Sequence, residues 1–164
     1  MAFNAFVNFG DIKGESTDKD HKDWVSILSY DHGVSQPASV TQKSAGGRSA
    51  EAVNHSEFRI IKLTDAATPK LYEAACKGTH IPEVTVECWR AGGDPLKYLE
   101  IKLKEVMISG VGANGDPGGT HGFPTETVSM VYGAIEWTYT KQKPDGTAGG
   151  NVAAKWNVAQ GAAA

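Results

Sequence analysis

The chain of 164 residues has two cysteines, no excess of basic side chains and no long apolar run. Two cysteines are too few for a disulfide framework or a four-ligand zinc site. Lys and Arg total 16 against 19 Asp and Glu, for a net charge of -3. No basic stripe is present to neutralise phosphates, so we expect no nucleic-acid partner. No stretch approaches the roughly 20 apolar residues of a membrane span, so no membrane insertion is expected.

The two cysteines leave two interpretations open. Cys76 and Cys88 are expected to be buried thiols that serve as small apolar residues, because free cysteine is commonly buried. A single disulfide between them is the alternative.

Motifs for catalysis, metals and cofactors are missing as well. None of the five histidines stands at metal-ligand spacing, and no nucleophile elbow G-x-S-x-G occurs. Residues 110–115 match G-x-G-x-x-G, but the helix-breaking run DPGGT follows, so a flexible loop is favoured over a phosphate-binding loop. We therefore expect no enzyme, no cofactor and no metal. The first eleven residues hold no Lys or Arg, so they do not resemble a signal peptide, and synthesis in the cytoplasm is expected.

Glycine, by contrast, is abundant, and the apolar residues alternate. Nineteen glycines in 164 residues punctuate the chain as strand-connecting turns would. Alternating patterns predict strands at 3–9, 24–34, 56–63, 84–89, 99–108, 128–139 and 152–158. One helix is predicted after Thr68, with Pro69 at its first position and Gly78 beyond its last turn. These elements predict a single all-β domain over residues 1–164, a barrel or sandwich with one helix.

Two breaks in the alternation predict β-bulges. The apolar phase slips near Lys104 and Glu105, and it slips again at Gly133 and Ala134. An extra residue on one strand bends that strand, and bent strands are typical of barrels.

Two polar segments are predicted to be loops. The mixed-sign run 18–23 is expected to be a solvated turn. Residues 35–54 (SQPASVTQKSAGGRSAEAVN) form an extended loop, which we call the arm. A loop of this length is either functional or a disordered linker, and the strands that continue on both sides argue against a domain boundary.

Several runs together resemble one family across nearly the whole chain. They are GDIKGES with His21, ILSYDHGVSQP, TPKLYEAACKGTHIPEVTVECWRAGG, YLEIKLKEVMISGV and VYGAIEWTYTKQKPDGT. These runs are similar to the haemolysin-coregulated protein (Hcp) family, the tube proteins of the bacterial type VI secretion system. A phage or phage-like tail tube protein is the alternative, and a lone secreted hydrolase or ligand-binding barrel is a different class.

The resemblance implies an assembly. It implies a two-sheet β-barrel with one short α-helix on its flank and a long protruding loop. Six copies would form a ring, and rings would stack into a tube inside a sheath behind a spike tip. The tube would carry effector proteins in its lumen and leave the cell without a signal peptide. Family members carry no catalytic residues, in line with the missing motifs.

The resemblance also implies two sets of site residues. The arm would contact the neighbouring ring or subunit, and its polar side chains Gln42, Lys43, Arg48 and Glu51 suit a wet, reversible contact. Ser29 and Asp31 lie on the strand expected to line the lumen, and alternation assigns them to its polar face.

Overall fold

A computed structural model describes residues 3–37, 52–117 and 119–164. The chain is mostly β, with one short helix, as the alternating patterns predict. The elements are β1 (Phe3–Asn8), β2 (Val25–Ile27), β3 (Ser29–Asp31), β4 (Val34–Ser35), β5 (Asn54–His55), β6 (Phe58–Leu63), α1 (Thr68–Lys77), β7 (His80–Arg90), β8 (Leu96–Asn114), β9 (Thr125–Val131), β10 (Ala134–Gln142), β11 (Ala148–Asn157) and β12 (Ala162–Ala163).

Ten of these strands form one antiparallel sheet that branches at β8. The main path runs β12-β11-β10-β8-β7-β1-β2. The branch leaves β8 through β9 to β6 and ends at β3. Strand β8 serves both paths because it is 19 residues long: its first part pairs with β10 and its last part with β9. Strands β4 and β5 form a separate two-stranded ladder.

The predicted closed barrel is wrong for the described residues, because the sheet is open. The pattern predicts one strand from Trp24 to Val34, but the strand breaks at Leu28. Before the break Val25 and Ile27 are buried, whereas after it Tyr30 stacks on Phe58, with ring centroids 5.7 Å apart. The buried face has therefore changed from odd to even positions. Consequently β2 forms its ladder with β1 and β3 forms its ladder with β6, while the N–H of Leu28, between them, donates to the carbonyl of Ile61 at 2.7 Å. Among the described strands, β12 is an open edge at the end of the main path.

The alternation slips at both predicted positions, which lie opposite each other at the branch, but the predicted bulges are wrong there. Lys104 pairs with Ala134 and Met107 with Val131 in one register, so neither strand holds an extra residue. The register shift of β8 against β9 falls between Ile108 and Gly110. Glu105 has φ 54°, and at that residue β8 stops pairing with β10 and turns to β9. Opposite it, Gly133 lies between the end of β9 and the start of β10, and its N–H donates to the carbonyl of Lys104 at 2.9 Å. A Cβ on Gly133 would lie 3.1 Å from the Cβ of Glu105, so the close approach favours glycine there.

Helix α1 covers part of the core. Leu71 and Ala74 are buried, as the helical stripe predicts. The helix ends at Gly78, whose φ of 62° is the left-handed conformation that glycine adopts without strain. The prediction that the helix begins after Thr68, with Thr68 as its N-cap, is wrong by one residue, because Thr68 is the first helical residue and Ala67 is the N-cap. The hydroxyl of Thr68 donates to Oε2 of Glu126 at 2.8 Å.

A buried ion cluster fixes the start of this helix. Lys62 is 0% exposed, and its Nζ lies 2.8 Å from Oε2 of Glu126 and 2.8 Å from Oδ1 of Asp65. The same ammonium donates to Oγ1 of Thr68 at 3.1 Å. Burial alone would raise the pKa of Glu126, but hydrogen bonds from Lys62, Thr68 and Thr64 outweigh it and hold the pKa below its usual range.

The run 18–23 is not wholly solvated, because His21 is only 3% exposed. Its ring stacks on Phe6 with centroids 4.2 Å apart, and Nε2 lies 2.8 Å from Oε2 of Glu87. Its Nδ1 lies 2.6 Å from Oδ1 of Asp18, and this hydrogen bond lowers the pKa of Asp18. The histidine thus ties the loop between β1 and β2 to β7.

Two smaller expectations need correction. Both cysteines are free, but only Cys88 is buried, since Cys76 is exposed on α1. Burial raises the pKa of Cys88 to about 11. Residues 110–114 are not a loop, because they continue β8 and pair with β9.

Candidate assembly surfaces

The predicted lumen residues lie on a solvent-facing side of the branch. Asp31 is exposed and Ser29 is half-buried, both on β3. Their partners on β6 are Arg59, opposite Asp31, and Ile61, opposite Ser29. Directly paired residues of an antiparallel ladder share a face, so Arg59 and Ile61 belong to the same surface.

This surface continues across β9 to β8. Ser129 is paired with Arg59, Thr127 with Ile61, and Val131 with Met107 of β8. Val131 is 43% exposed and Met107 is 41% exposed. We call this surface the branch face and define it as Ser29, Asp31, Arg59, Ile61, Met107, Thr127, Ser129 and Val131. Alternation within one strand did not identify its members on β6, β8 and β9, because a single sequence does not specify which strands pair.

The arm leaves and rejoins the body through a short ladder. Val34 pairs with His55, and Ser35 pairs with Asn54, so the ends of the predicted loop 35–54 are strands. Below them the N–H of Gly33 donates to Oγ of Ser56 at 2.7 Å, and the N–H of Ser56 donates to the carbonyl of Gly33 at 2.9 Å. The predicted stacking residues Gln42, Lys43, Arg48 and Glu51 lie outside the described residues.

A tyrosine between two histidines lies at the base of the arm. The hydroxyl of Tyr132 is 3.2 Å from Nδ1 of His55 and 3.3 Å from Nδ1 of His32. Burial lowers the pKa of His32, with a further decrease from the neighbouring charge of His55. Burial also lowers the pKa of His55 and raises that of Tyr132 to about 12. His32 stacks on Phe58 and Trp137, as expected for a packed histidine.

We expect the protein to lose stability in acid because of His32, at the foot of the arm. The folded state disfavours the charged imidazole, so the unfolded state binds protons first as the pH falls below the ordinary value of 6.5. The free energy of unfolding should therefore decrease with acidification, and urea titrations from pH 8 downward measure this decrease. His32→Phe keeps the ring stacking and removes the titrating group, so its decrease should be smaller. Equal decreases in the two proteins would contradict this assignment.

The hairpin β10–β11 carries apolar side chains past the edge of the core. Trp137 pairs with Ala154, and Tyr139 pairs with Val152, all on the side that faces the core. Burial decreases along this side, from 2% exposure at Ile135 to 43% at Tyr139 and 55% at Val152. We call Trp137, Tyr139, Val152 and Ala154 the overhang.

A cavity of about 560 Å³ separates the overhang from the base of the arm. Its walls are Val34, Gln36, Ala52, Val53, His55, Trp137, Ala154, Lys155, Trp156, Val158 and Gly161. The arm base and the overhang thus form one apolar region at the β11 end of the sheet.

Neither a metal cluster nor a membrane-spanning helix occurs in the parts of the chain described. Over residues 3–37, 52–117 and 119–164 no three His, Cys, Asp or Glu side chains meet as metal ligands would. Within the same residues no helix is long and apolar enough to cross a bilayer.

Related sequences match most of the chain. The family model described as "Type VI secretion system effector, Hcp" matches residues 6–139. The chain is similar to Protein hcp1 of Pseudomonas aeruginosa, with 36% identity over 162 residues and 98% of each chain covered. It is also similar to the Major exported protein of that organism, with 27% identity over 135 residues, 79% of this chain and 76% of that one.

Solved structures show the same likeness. One described as a type six secretion system protein has a TM-score of 0.93 at 27% identity, over 99% of this chain and all of the other. Hcp1 from Salmonella typhimurium has a TM-score of 0.78 at 24% identity, with both chains fully covered.

Proposed function

The chain belongs to the Hcp family and is a tube protein of the type VI secretion system, and from this premise we propose that six copies close into a ring and that rings stack into a hollow tube. The observation that carries this proposal is the open, branched sheet, whose main path ends in two different strands, β2 and β12. Different surfaces at the two ends allow head-to-tail contacts, and such contacts close into rings when the rotation permits.

The proposed role is structural and non-enzymatic. Residues 1–164 would act as one domain that forms the tube wall, with the sheath outside it and the spike tip at its end. The arm 35–54, with Gln42, Lys43, Arg48 and Glu51, would contact the next ring. The tube would assemble in the cytoplasm and leave the cell with the machine, as the name of the related Major exported protein suggests for that protein.

We propose further that the branch face lines the lumen and contacts effectors. Asp31 and Arg59 are directly opposite each other in its ladder, and the guanidinium of Arg59 lies 3.5 Å from the carboxylate of Glu57. Exposed Ile61, Met107 and Val131 lie among these polar groups. A surface of this composition binds proteins that are neither strongly charged nor wholly apolar.

Asp31→Lys should alter effector retention and leave the ring intact. Because Asp31 is exposed on the branch face, reversing its charge adds repulsion or attraction toward a cargo without disturbing the core. We expect about a ten-fold change in the amount of a co-expressed effector that co-purifies with the ring.

Asp94→Lys, in the exposed turn between β7 and β8, makes the same change away from the branch face and is the matched control. Equal retention by the two variants would exclude Asp31 from the cargo surface. Precipitation of Asp31→Lys would show that residue 31 does not lie on an open face.

Native mass spectrometry tests the ring itself. The expected species has six times the mass of the 17.4-kDa chain. A monomer at every concentration measured would contradict the proposed assembly.

A further inference from the structure

We propose that the overhang of one subunit packs into a groove between β2 and β6 of the next subunit, so that two different surfaces of the chain form the lateral contact. This inference rests on the proposed ring, and it names the two surfaces that would join its subunits.

The overhang has the properties of half an interface. Its side chains continue the core face of β8, since Trp137 is opposite Ile101 and Tyr139 is opposite Leu99. Ile101 is 3% exposed, whereas Val152, one strand further from β8 than Tyr139, is 55% exposed. Contiguous exposed apolar surface of this kind marks a contact site. The strand order also leaves β12, beside β11, as an open edge.

A complementary groove lies where the end of β2 meets the end of β6. Leu28, at the end of β2, is 41% exposed, and Phe123 is 64% exposed. Both line a cavity of about 260 Å³, together with Glu15, Ser16, Ser26, Ile27, Leu63, Thr64 and Asp65. We call these lining residues the β2 groove. Its aromatic and aliphatic side chains provide an apolar partner for Tyr139 and Val152.

The charges of the two surfaces favour this pairing. The hairpin β10–β11 carries three lysines, Lys141, Lys143 and Lys155, and two acids, Glu136 and Asp145, for a net +1. The loop beside the groove, residues 10–24, carries five acids and three lysines, for a net -2: Asp11, Glu15, Asp18, Asp20 and Asp23 against Lys13, Lys19 and Lys22. An overhang meeting a second overhang would set like charges together, whereas overhang meeting groove sets opposite charges together.

The pairing also explains why a ring forms and a pair does not. The overhang and the groove are different surfaces of the same chain, so after a first contact one subunit still has a free groove and the other still has a free overhang. Contacts of this kind propagate and close into a ring, whereas a self-complementary surface would stop at two copies.

Val152→Asp and Phe123→Asp test the two surfaces separately. Each change puts a carboxylate into the proposed apolar contact, and we expect lateral association at least about thirty-fold weaker. Both variants should be folded monomers by circular dichroism and native mass spectrometry. Val131→Asp is the matched control, because a valine of similar exposure, 43%, changes in the same way on the branch face. That control should remain a ring.

Mixing the two monomeric variants gives the sharpest result. Val152→Asp retains an intact groove, and Phe123→Asp retains an intact overhang, so one good contact is possible between them. We expect an equimolar mixture to give heterodimers and no rings. Lys141→Glu, a milder change at the surface, should weaken the ring and make it more sensitive to concentration.

The possible failures can be told apart. Rings that survive Val152→Asp would overturn the proposal, because the overhang would then not be part of the lateral contact. Rings that survive Phe123→Asp, or a mixture that stays monomeric, would overturn it as well. A wild-type protein without rings would instead overturn the proposed function.

Discussion

Lys62→Ala should lower the free energy of unfolding by about 3–5 kcal/mol, because it leaves a buried carboxylate without its cation. Lys62 is fully buried, and Glu126, 2.8 Å from its ammonium, is 2% exposed. Thermal unfolding of a chain of this size should shift down by about 6–20 °C. Because α1 starts at Thr68, which contacts both groups, hydrogen exchange in the first turn of the helix should accelerate as well.

Lys70→Ala is the matched control for this change. Lys70 also bonds a carboxylate, Oε2 of Glu73 at 2.8 Å, but its side chain is 69% exposed. Exposed ion pairs contribute little, so the loss of this one should leave the free energy of unfolding nearly unchanged. Both variants should be compared at one protein concentration, since assembly itself stabilises the folded state. Equal effects of the two substitutions would contradict the account of the cluster.

Gly14→Ala should destabilise the protein by about 2–3 kcal/mol through a backbone clash. A Cβ at residue 14 would lie 2.5 Å from the carbonyl oxygen of Trp24 and 2.9 Å from the Cα of Val25. These atoms belong to the backbone next to β2, so no side-chain rotation relieves the contact. The N–H of Gly14 also donates to the carbonyl of Asp23 at 2.8 Å, and the displaced loop would lose this bond.

Urea unfolding at fixed pH measures this effect as a lower midpoint. Gly92→Ala serves as its control, because a Cβ on Gly92 meets nothing within 4 Å. That change should leave the free energy of unfolding within about 0.5 kcal/mol of that of the parent protein. A Gly14→Ala protein as stable as Gly92→Ala would show that the loop accommodates the methyl group.

Local patterns in the sequence predicted the elements whose cause is local. The phase slips at Glu105 and Gly133 were visible in the sequence because a break in alternation lies within its own strand, although neither position holds the extra residue of a bulge. Pro69 and Gly78 mark the helix ends because their backbone preferences act on neighbouring residues.

The features that the sequence did not predict depend on distant contacts. His21 is buried because Glu87, 66 positions away, accepts its hydrogen bond and Phe6 stacks on it. The strand breaks at Leu28 because its two halves join different partners, β1 and β6. Likewise, the overhang required the register of β8, β10 and β11, which no single strand contains.

The residues of the candidate surfaces also fall into those that the sequence indicated and those that only the strand pairing revealed. Alternation and the family resemblance indicated Ser29 and Asp31, but only the ladder between β3, β6 and β9 brings Arg59, Ile61 and Ser129 onto their face. No pattern marked Val152 as a surface residue, because apolar side chains on a strand are expected in the core. Phe123 lies in the loop between β8 and β9, outside every predicted strand.

Electron micrographs of the purified full-length chain test the central claim most directly. The account predicts six-fold annular particles with an open centre, some of them stacked end to end. Micrographs that show only compact particles of single-chain size, at every concentration examined, would contradict it.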